Sequence, residues 1–312
     1  MLAYIVLVIG FVLLVKGADF FVDGSASVAK KFRVPSFIIG MTIVAMGTSA
    51  PECAVSITAS LSGNNGMAIS NVIGSNMFNS LVVCGVCALF VALPIKKATL
   101  KREFPFSILA AVILGVMGFS GMLVGHIDGI ILLVIFLIFI VWMVRSARKS
   151  MKEGTVEEEG EIREMPLWRC LVYIGGGLVA IVLGGQFVVN SAETIALRFG
   201  LSENLIGLTI CSIGTSLPEL VTSVVAARKK QVGMALGNVI GSNLFNILLV
   251  GGIASAISPI AVTTDNLIDI IILIVMSFYI MLLVWKKQLL TRTGGISLLV
   301  VYALYMAYIC IR

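Results

Sequence analysis

Apolar residues fall in ten long runs, at about residues 2–27, 36–61, 67–95, 104–124, 129–144, 170–197, 203–227, 234–258, 267–285 and 294–311. Polar and charged residues collect between them. Most runs reach the roughly 20 residues that a membrane-spanning helix needs. The pattern predicts an all-α polytopic membrane protein with ten transmembrane helices, five on each side of a solvated stretch from Arg145 to Arg169. That stretch holds Glu157, Glu158, Glu159 and Glu161 and reads as a solvated linker. The first run has no cation in front of it and recurs in the second half. It therefore reads as a membrane helix, not a cleaved leader.

Composition supports the same class. Of 312 residues, 59% are apolar and 12% charged, against about 25% charged in soluble domains. So few polar groups cannot coat a folded object in water. A soluble globule, a disordered chain and a disulfide scaffold are excluded. Cys53, Cys84, Cys87, Cys170, Cys211 and Cys310 sit in or beside apolar runs and read as packing thiols. The net charge of +6 is no nucleic-acid signal, because nineteen of the twenty-two cations lie in alternate loops. These are the loops with Lys30, Lys31 and Arg33; Lys96, Lys97, Lys101 and Arg102; Arg145 to Arg169; Arg228, Lys229 and Lys230; and Lys286, Lys287 and Arg292. By the positive-inside rule they face the cytoplasm, so both termini lie outside. The expected location is the plasma membrane, or the inner membrane in a Gram-negative cell.

The chain repeats itself at an offset of 167 residues. Gly66 to Asn79 falls on Gly233 to Asn246 with eleven of fourteen positions identical. At the same offset Gly47-Thr48-Ser49-Ala50-Pro51-Glu52 falls on Gly214-Thr215-Ser216-Leu217-Pro218-Glu219. Gly17, Phe20, Val22, Ala29, Phe32 and Gly40 match Gly184, Phe187, Val189, Ala196, Phe199 and Gly207. The expected units are 1–145, a cytoplasmic linker 146–169, and 170–312. An odd number of helices per copy makes the second copy enter from the opposite side. That is an inverted-topology repeat, an architecture of secondary transporters with a site near the midplane.

Glu52 and Glu219 lie deep in apolar segments, where a carboxylate is expensive unless paired or coordinated. No Lys or Arg occupies a matching depth. The natural partner is a cation from solution. Pro51 and Pro218 lack the N–H that Gly47 and Gly214 would accept, so each helix should break there. Breaks of this kind free carbonyls such as those of Ala45, Thr48, Ser212 and Thr215, which are tolerated at depth only in a lined cavity. Asn71, Ser75 and Asn79 form one polar stripe at i, i+4, i+8, repeated by Asn238, Ser242 and Asn246. Stripes of this kind also serve helix packing; their repetition beside two proline-kinked glutamates favours a site. The donor set is all oxygen and suits hard cations: Ca²⁺, Na⁺, Mg²⁺ or K⁺. Two carboxylates balance one Ca²⁺ but not Ca²⁺ and several Na⁺ together, which favours exchange over co-transport. His126, beside Asp128, reads as a surface residue. Asp19 and Asp23 in the first segment are candidates for an access route. No nucleophile–base set or nucleotide motif occurs, so neither an enzyme nor a cofactor is expected, and no obligate protein partner is evident.

The doubled Gly-Thr-Ser-Ala/Leu-Pro-Glu and Gly/Ser-Asn-Val-Ile-Gly-Ser-Asn-x-Phe-Asn motifs resemble the α-repeats of the sodium/calcium exchangers, within the calcium/cation antiporter superfamily. The likeness is closest to small prokaryotic members and covers nearly the whole chain. It implies a calcium site at Glu52 and Glu219 with the carbonyls of Thr48 and Thr215. It implies sodium sites that include Ser49, Ser216, Ser75, Ser242 and the Ala45 carbonyl, with Asn79 and Asn246 central. Exchange of about three Na⁺ for one Ca²⁺ is implied too, moving one net charge worth roughly 2.3 kcal/mol per 100 mV. Three residues depart from the pattern. Asn246 stands where some relatives, including potassium-dependent ones, have Asp; Ser212 replaces a common Ala; Ser70 replaces the usual Gly. The reading is a Na⁺/Ca²⁺ antiporter working by alternating access in a lipid bilayer. A proton-coupled or potassium-dependent exchanger of the same superfamily is the alternative, since protons compete for desolvated carboxylates. A channel is less consistent with inverted broken helices.

Overall fold

A computed structural model describes residues 2–153, 164–199 and 212–311. The linker glutamates Glu157, Glu158, Glu159 and Glu161 lie outside the described residues, as do Cys211, Gly207 and the first part of the run at 203–227. The elements are, in order, α1 (Leu2–Lys31), the bent pair α2 (Ser36–Thr48) and α3 (Ala50–Leu61), and α4 (Asn65–Phe90). Then come β1 (Leu93–Pro94), α5 (Lys97–Phe119), β2 (Leu123–Val124) and α6 (His126–Glu153). The second half holds α7 (Leu167–Arg198), α8 (Ser212–Thr215), α9 (Leu217–Arg228) and α10 (Val232–Ile257). It ends with β3 (Ile260–Ala261), α11 (Thr264–Trp285), β4 (Leu289–Leu290) and α12 (Arg292–Ile311). Among the described residues eight helices are long and apolar enough to cross a membrane, and α2 with α3 makes a ninth, bent span. The α6 helix runs nine residues beyond the expected end of the fifth run, to Glu153.

The duplication is visible in the elements themselves. The bounds of α3, α4 and β1 reappear in α9, α10 and β3 at an offset of 167. Even an irregularity repeats: α4 and α10 each contain a widened π-helical turn, at Phe78–Val83 and Phe245–Val250. Neither turn contains proline. Such turns recur at functional sites.

Two short ribbons reveal the inversion. Strand β1 pairs with β4, and β2 pairs with β3, both antiparallel. The α5 helix separates β1 from β2, so β2 and its partner β3 lie at the end of α5 away from β1. Yet β3 is the repeat-mate of β1. Equivalent parts of the two halves thus sit at opposite ends of the bundle. The β1·β4 ribbon joins the two loops that carry Lys96, Lys97, Lys286 and Lys287. The charge pattern independently puts those loops on one side.

The core mixes the halves. The α2 helix of the first half packs along α10 of the second, and Gly237 makes their close approach: a Cβ there would run into the Phe37 carbonyl. Its repeat-mate Ser70 is exposed. The α4 and α10 segments are the most enclosed of the long spans, and the outer faces of α1, α6 and α7 expose Leu, Ile, Val and Phe. Those faces suit lipid rather than water.

Candidate functional site

The two broken helices meet at the centre. The first break falls at Ser49 (φ −83°, ψ 8°) and bends α2 against α3 by 47°. The second falls at Ser216 (φ −92°, ψ 5°). Each proline sits in the first turn of the helix that follows, where its missing N–H costs nothing. Glu52 and Glu219 therefore lie one turn into α3 and α9, next to helix N-termini whose dipole favours negative charge.

The serines at the breaks cross between the halves. Ser49 donates its hydroxyl to Oε1 of Glu219 at 2.8 Å, and Ser216 donates to Oε1 of Glu52 at 3.0 Å. This reciprocal pair brings both carboxylates into one site, each 1% exposed or less. Thr215 and Thr48 add hydroxyls beside Glu52 and Glu219 respectively. Ser242 reaches Oε1 of Glu219 at 3.5 Å. Among the described residues, further buried polar atoms have no protein partner: the acceptors Oε2 of Glu52 and Oε2 of Glu219, Ser75 Oγ, and both the amide oxygen and the amide N–H group of Asn79 and Asn246. Buried polar atoms left unmatched cost about 1–3 kcal/mol each. A cluster of them at a duplicated motif is what an oxygen cage for cations requires.

Asn79 and Asn246 sit in the two π-helical turns. The turn holding Asn79 packs against α9, the helix of Glu219, and the turn holding Asn246 packs against α3, the helix of Glu52. Each half thus supplies one wall of the other's carboxylate. Ala45, Thr48, Ser49, Ser75, Ser216 and Ser242 are buried, and Thr215 is half-buried. Ser212 opens α8 at the edge of the described residues.

One expectation needs correction. The Ala45 carbonyl is not released by the break: it accepts from the Ser49 N–H at 3.0 Å and faces the Thr48 hydroxyl at 3.4 Å. Proline removes its own N–H, two residues beyond Ser49, so the helical bond to Ala45 survives. A carbonyl has a second lone pair, and only that remains for an ion. Asp19 and Asp23, the candidates for an access route, both pair with Lys229. His126 is exposed as expected, with Nδ1 2.9 Å from the Ala256 carbonyl at the end of α10.

The polar stripes divide in two. Asn71 donates to the Glu52 carbonyl at 3.2 Å and to Ser56 Oγ at 2.9 Å. Asn238 donates to the Glu219 carbonyl at 3.4 Å and to Ser223 Oγ at 2.9 Å. Asn238 also accepts from the Thr48 hydroxyl at 3.1 Å. These two asparagines brace the glutamate helices, while Ser75, Asn79, Ser242 and Asn246 face the site. Sequence reading missed Ser56 and Ser223. The signal was present: each lies one turn after its glutamate, and the pair repeats at the same offset.

The sodium/calcium exchanger protein family matches residues 2–145 and 170–311. Sodium/calcium exchanger MaX1 of Methanosarcina acetivorans is 30% identical over 97% of this chain and 97% of its own. Inner membrane protein YrbG of Escherichia coli is 34% identical over 92% of this chain and 90% of its own. A solved structure of the sodium-calcium exchanger NCX_Mj superposes with a TM-score of 0.86 at 32% identity, covering 98% of each chain. With its site built from both copies of the doubled motif, the chain belongs to the sodium/calcium exchanger family.

Proposed function

We propose that Glu52 and Glu219 form the shared seat at which this Na⁺/Ca²⁺ antiporter carries its two ions in turn. The crossed hydrogen bonds Ser49 to Glu219 and Ser216 to Glu52 carry this reading, because they make one site from two halves. Ca²⁺ takes both carboxylates, with oxygens of Thr48 and Thr215 completing its shell. Na⁺ ions take the Ser49, Ser75, Ser216 and Ser242 hydroxyls, the Asn79 and Asn246 amide oxygens, and the outer lone pairs of Ala45 and Ser212. Both ions need the same two negative charges, so one leaves as the other loads. An empty site would leave two bare carboxylates in a low-dielectric interior, a state too costly to carry across. That cost couples the fluxes. About three Na⁺ per Ca²⁺ would move one net charge, worth roughly 2.3 kcal/mol per 100 mV.

The two repeats, 1–145 and 170–312, work as mirrored halves joined by the linker 146–169 on the cytoplasmic side. Cation-rich loops place both termini outside. The membrane is the plasma membrane, in keeping with the relative named as an inner membrane protein.

Calcium uptake by reconstituted vesicles tests the reading. Sodium-loaded vesicles are expected to accumulate radioactive calcium, while potassium-loaded vesicles stay at background. Uptake driven equally by an acid interior, without sodium, would replace Na⁺ coupling with proton coupling.

A further inference from the structure

The two halves differ where α9 meets α1, although symmetry predicts sameness there. On the face that carries the Lys/Arg-rich loops, Lys229 follows the last residue of α9 and reaches across to α1. Its Nζ lies 2.7 Å from Asp23 Oδ1 and 3.2 Å from Asp19 Oδ1, and it donates to the Asp19 carbonyl at 3.1 Å. Lys16 stands 3.8 Å from the other Asp19 oxygen. At the offset of 167, Asp19, Asp23 and Lys229 correspond to Gln186, Asn190 and Ser62. Gln186 instead donates to Asn190 within its own helix, at 2.7 Å. The opposite face therefore has a neutral, intrahelical contact where this face has an interhelical ion pair.

The partner of Lys229 is part of the cover over the site. Phe21 of α1 abuts Gly47 at the first break, and Gly185 of α7 lies against Pro218 at the second. The α1 and α7 helices are bound to each other along glycine contacts: a Cβ on Gly177 would meet the Gly17 carbonyl at 2.7 Å. Contacts that close favour the two helices moving as one body.

We propose that Lys229 is a clamp that ties the α1/α7 cover to the end of α9 and biases this antiporter toward the state closed on its cation-rich face. The proposal rests on alternating access at the Glu52/Glu219 site. Opening that face moves α1 away from α9 and breaks the pair; opening the other face leaves it intact. A contact made in only one of two states shifts their populations by its own free energy. Lys229 is 29% exposed, Asp19 34% and Asp23 46%, so salt in solution reaches the clamp and weakens it. The device makes a symmetric carrier unequal at its two faces.

The test is apparent calcium half-saturation measured separately at each face of oriented proteoliposomes. Lys229→Met is expected to lower it at the cation-rich face and raise it at the other, by about two- to fivefold each, the range for part-exposed ion pairs. Asp23→Asn should move both values in the same directions, and it serves if Lys229→Met folds poorly. Raising choline chloride should shift the unsubstituted protein likewise and leave Lys229→Met unmoved. Normal exchange with neither half-saturation shifted, or with both shifted alike, would overturn the clamp alone. Failure of the unsubstituted protein to exchange calcium for sodium would overturn the functional reading, and the clamp with it.

Discussion

Glu52→Gln and Glu219→Gln each abolish exchange, lowering sodium-driven calcium uptake by roughly a hundredfold or more, about 2.8 kcal/mol. The size follows from the charge count. Within the described site the two carboxylates are the only formal charges that face the unmatched oxygens of Ser75, Asn79 and Asn246. Removing one leaves a divalent ion with half its countercharge in a medium that does not screen it. Folding survives, because a glutamine at 52 keeps an acceptor for the Ser216 hydroxyl and a glutamine at 219 keeps one for Ser49. A neutral amide is also cheaper to bury than a carboxylate. Uptake assays on vesicles with matched protein content check the loss. Size-exclusion profiles and thermal midpoints check the fold.

Asn79→Leu and Asn246→Leu separate stability from function. Both amide atoms of each asparagine are buried without partners, so leucine removes a penalty and fills similar space. The expected result is a thermal midpoint unchanged or a few degrees higher, with exchange reduced about tenfold or more. Asn71→Leu is the control. Its amide already holds the Glu52 carbonyl and Ser56, so its loss is expected to cost about 1–3 kcal/mol and lower the midpoint. If Asn79→Leu and Asn246→Leu destabilised like Asn71→Leu, their amides would be structural braces rather than ion ligands.

Much of this was legible in the residues, for definite reasons. Apolar runs mark membrane helices because lipid tolerates little else. The 167-residue repeat revealed the doubling because both copies keep the same break and the same stripe. Pro51 and Pro218 located the breaks because a missing N–H is a local fact. What the sequence hid was non-local or subtle. The π-helical turns at Asn79 and Asn246 carry no proline or glycine signature of their own. The division of the stripes into braces and site-facing groups depends on helix rotation, which spacing alone leaves open. The pairing of Asp19 and Asp23 with Lys229 spans more than two hundred residues and follows no pattern within one helix. The Ala45 carbonyl was misjudged because proline's effect was placed two bonds too early in the ladder. The close approach of Gly237 to the Phe37 backbone was hidden as well, because it joins the two halves.

Equilibrium calcium binding to the purified protein, titrated with sodium, reads the shared seat itself. One Ca²⁺ should bind per chain, be displaced completely and cooperatively by Na⁺, and fail to bind when Glu52 and Glu219 are both glutamine. Calcium that stays bound at saturating sodium, or that binds normally without the two carboxylates, would contradict a single site contested by both ions.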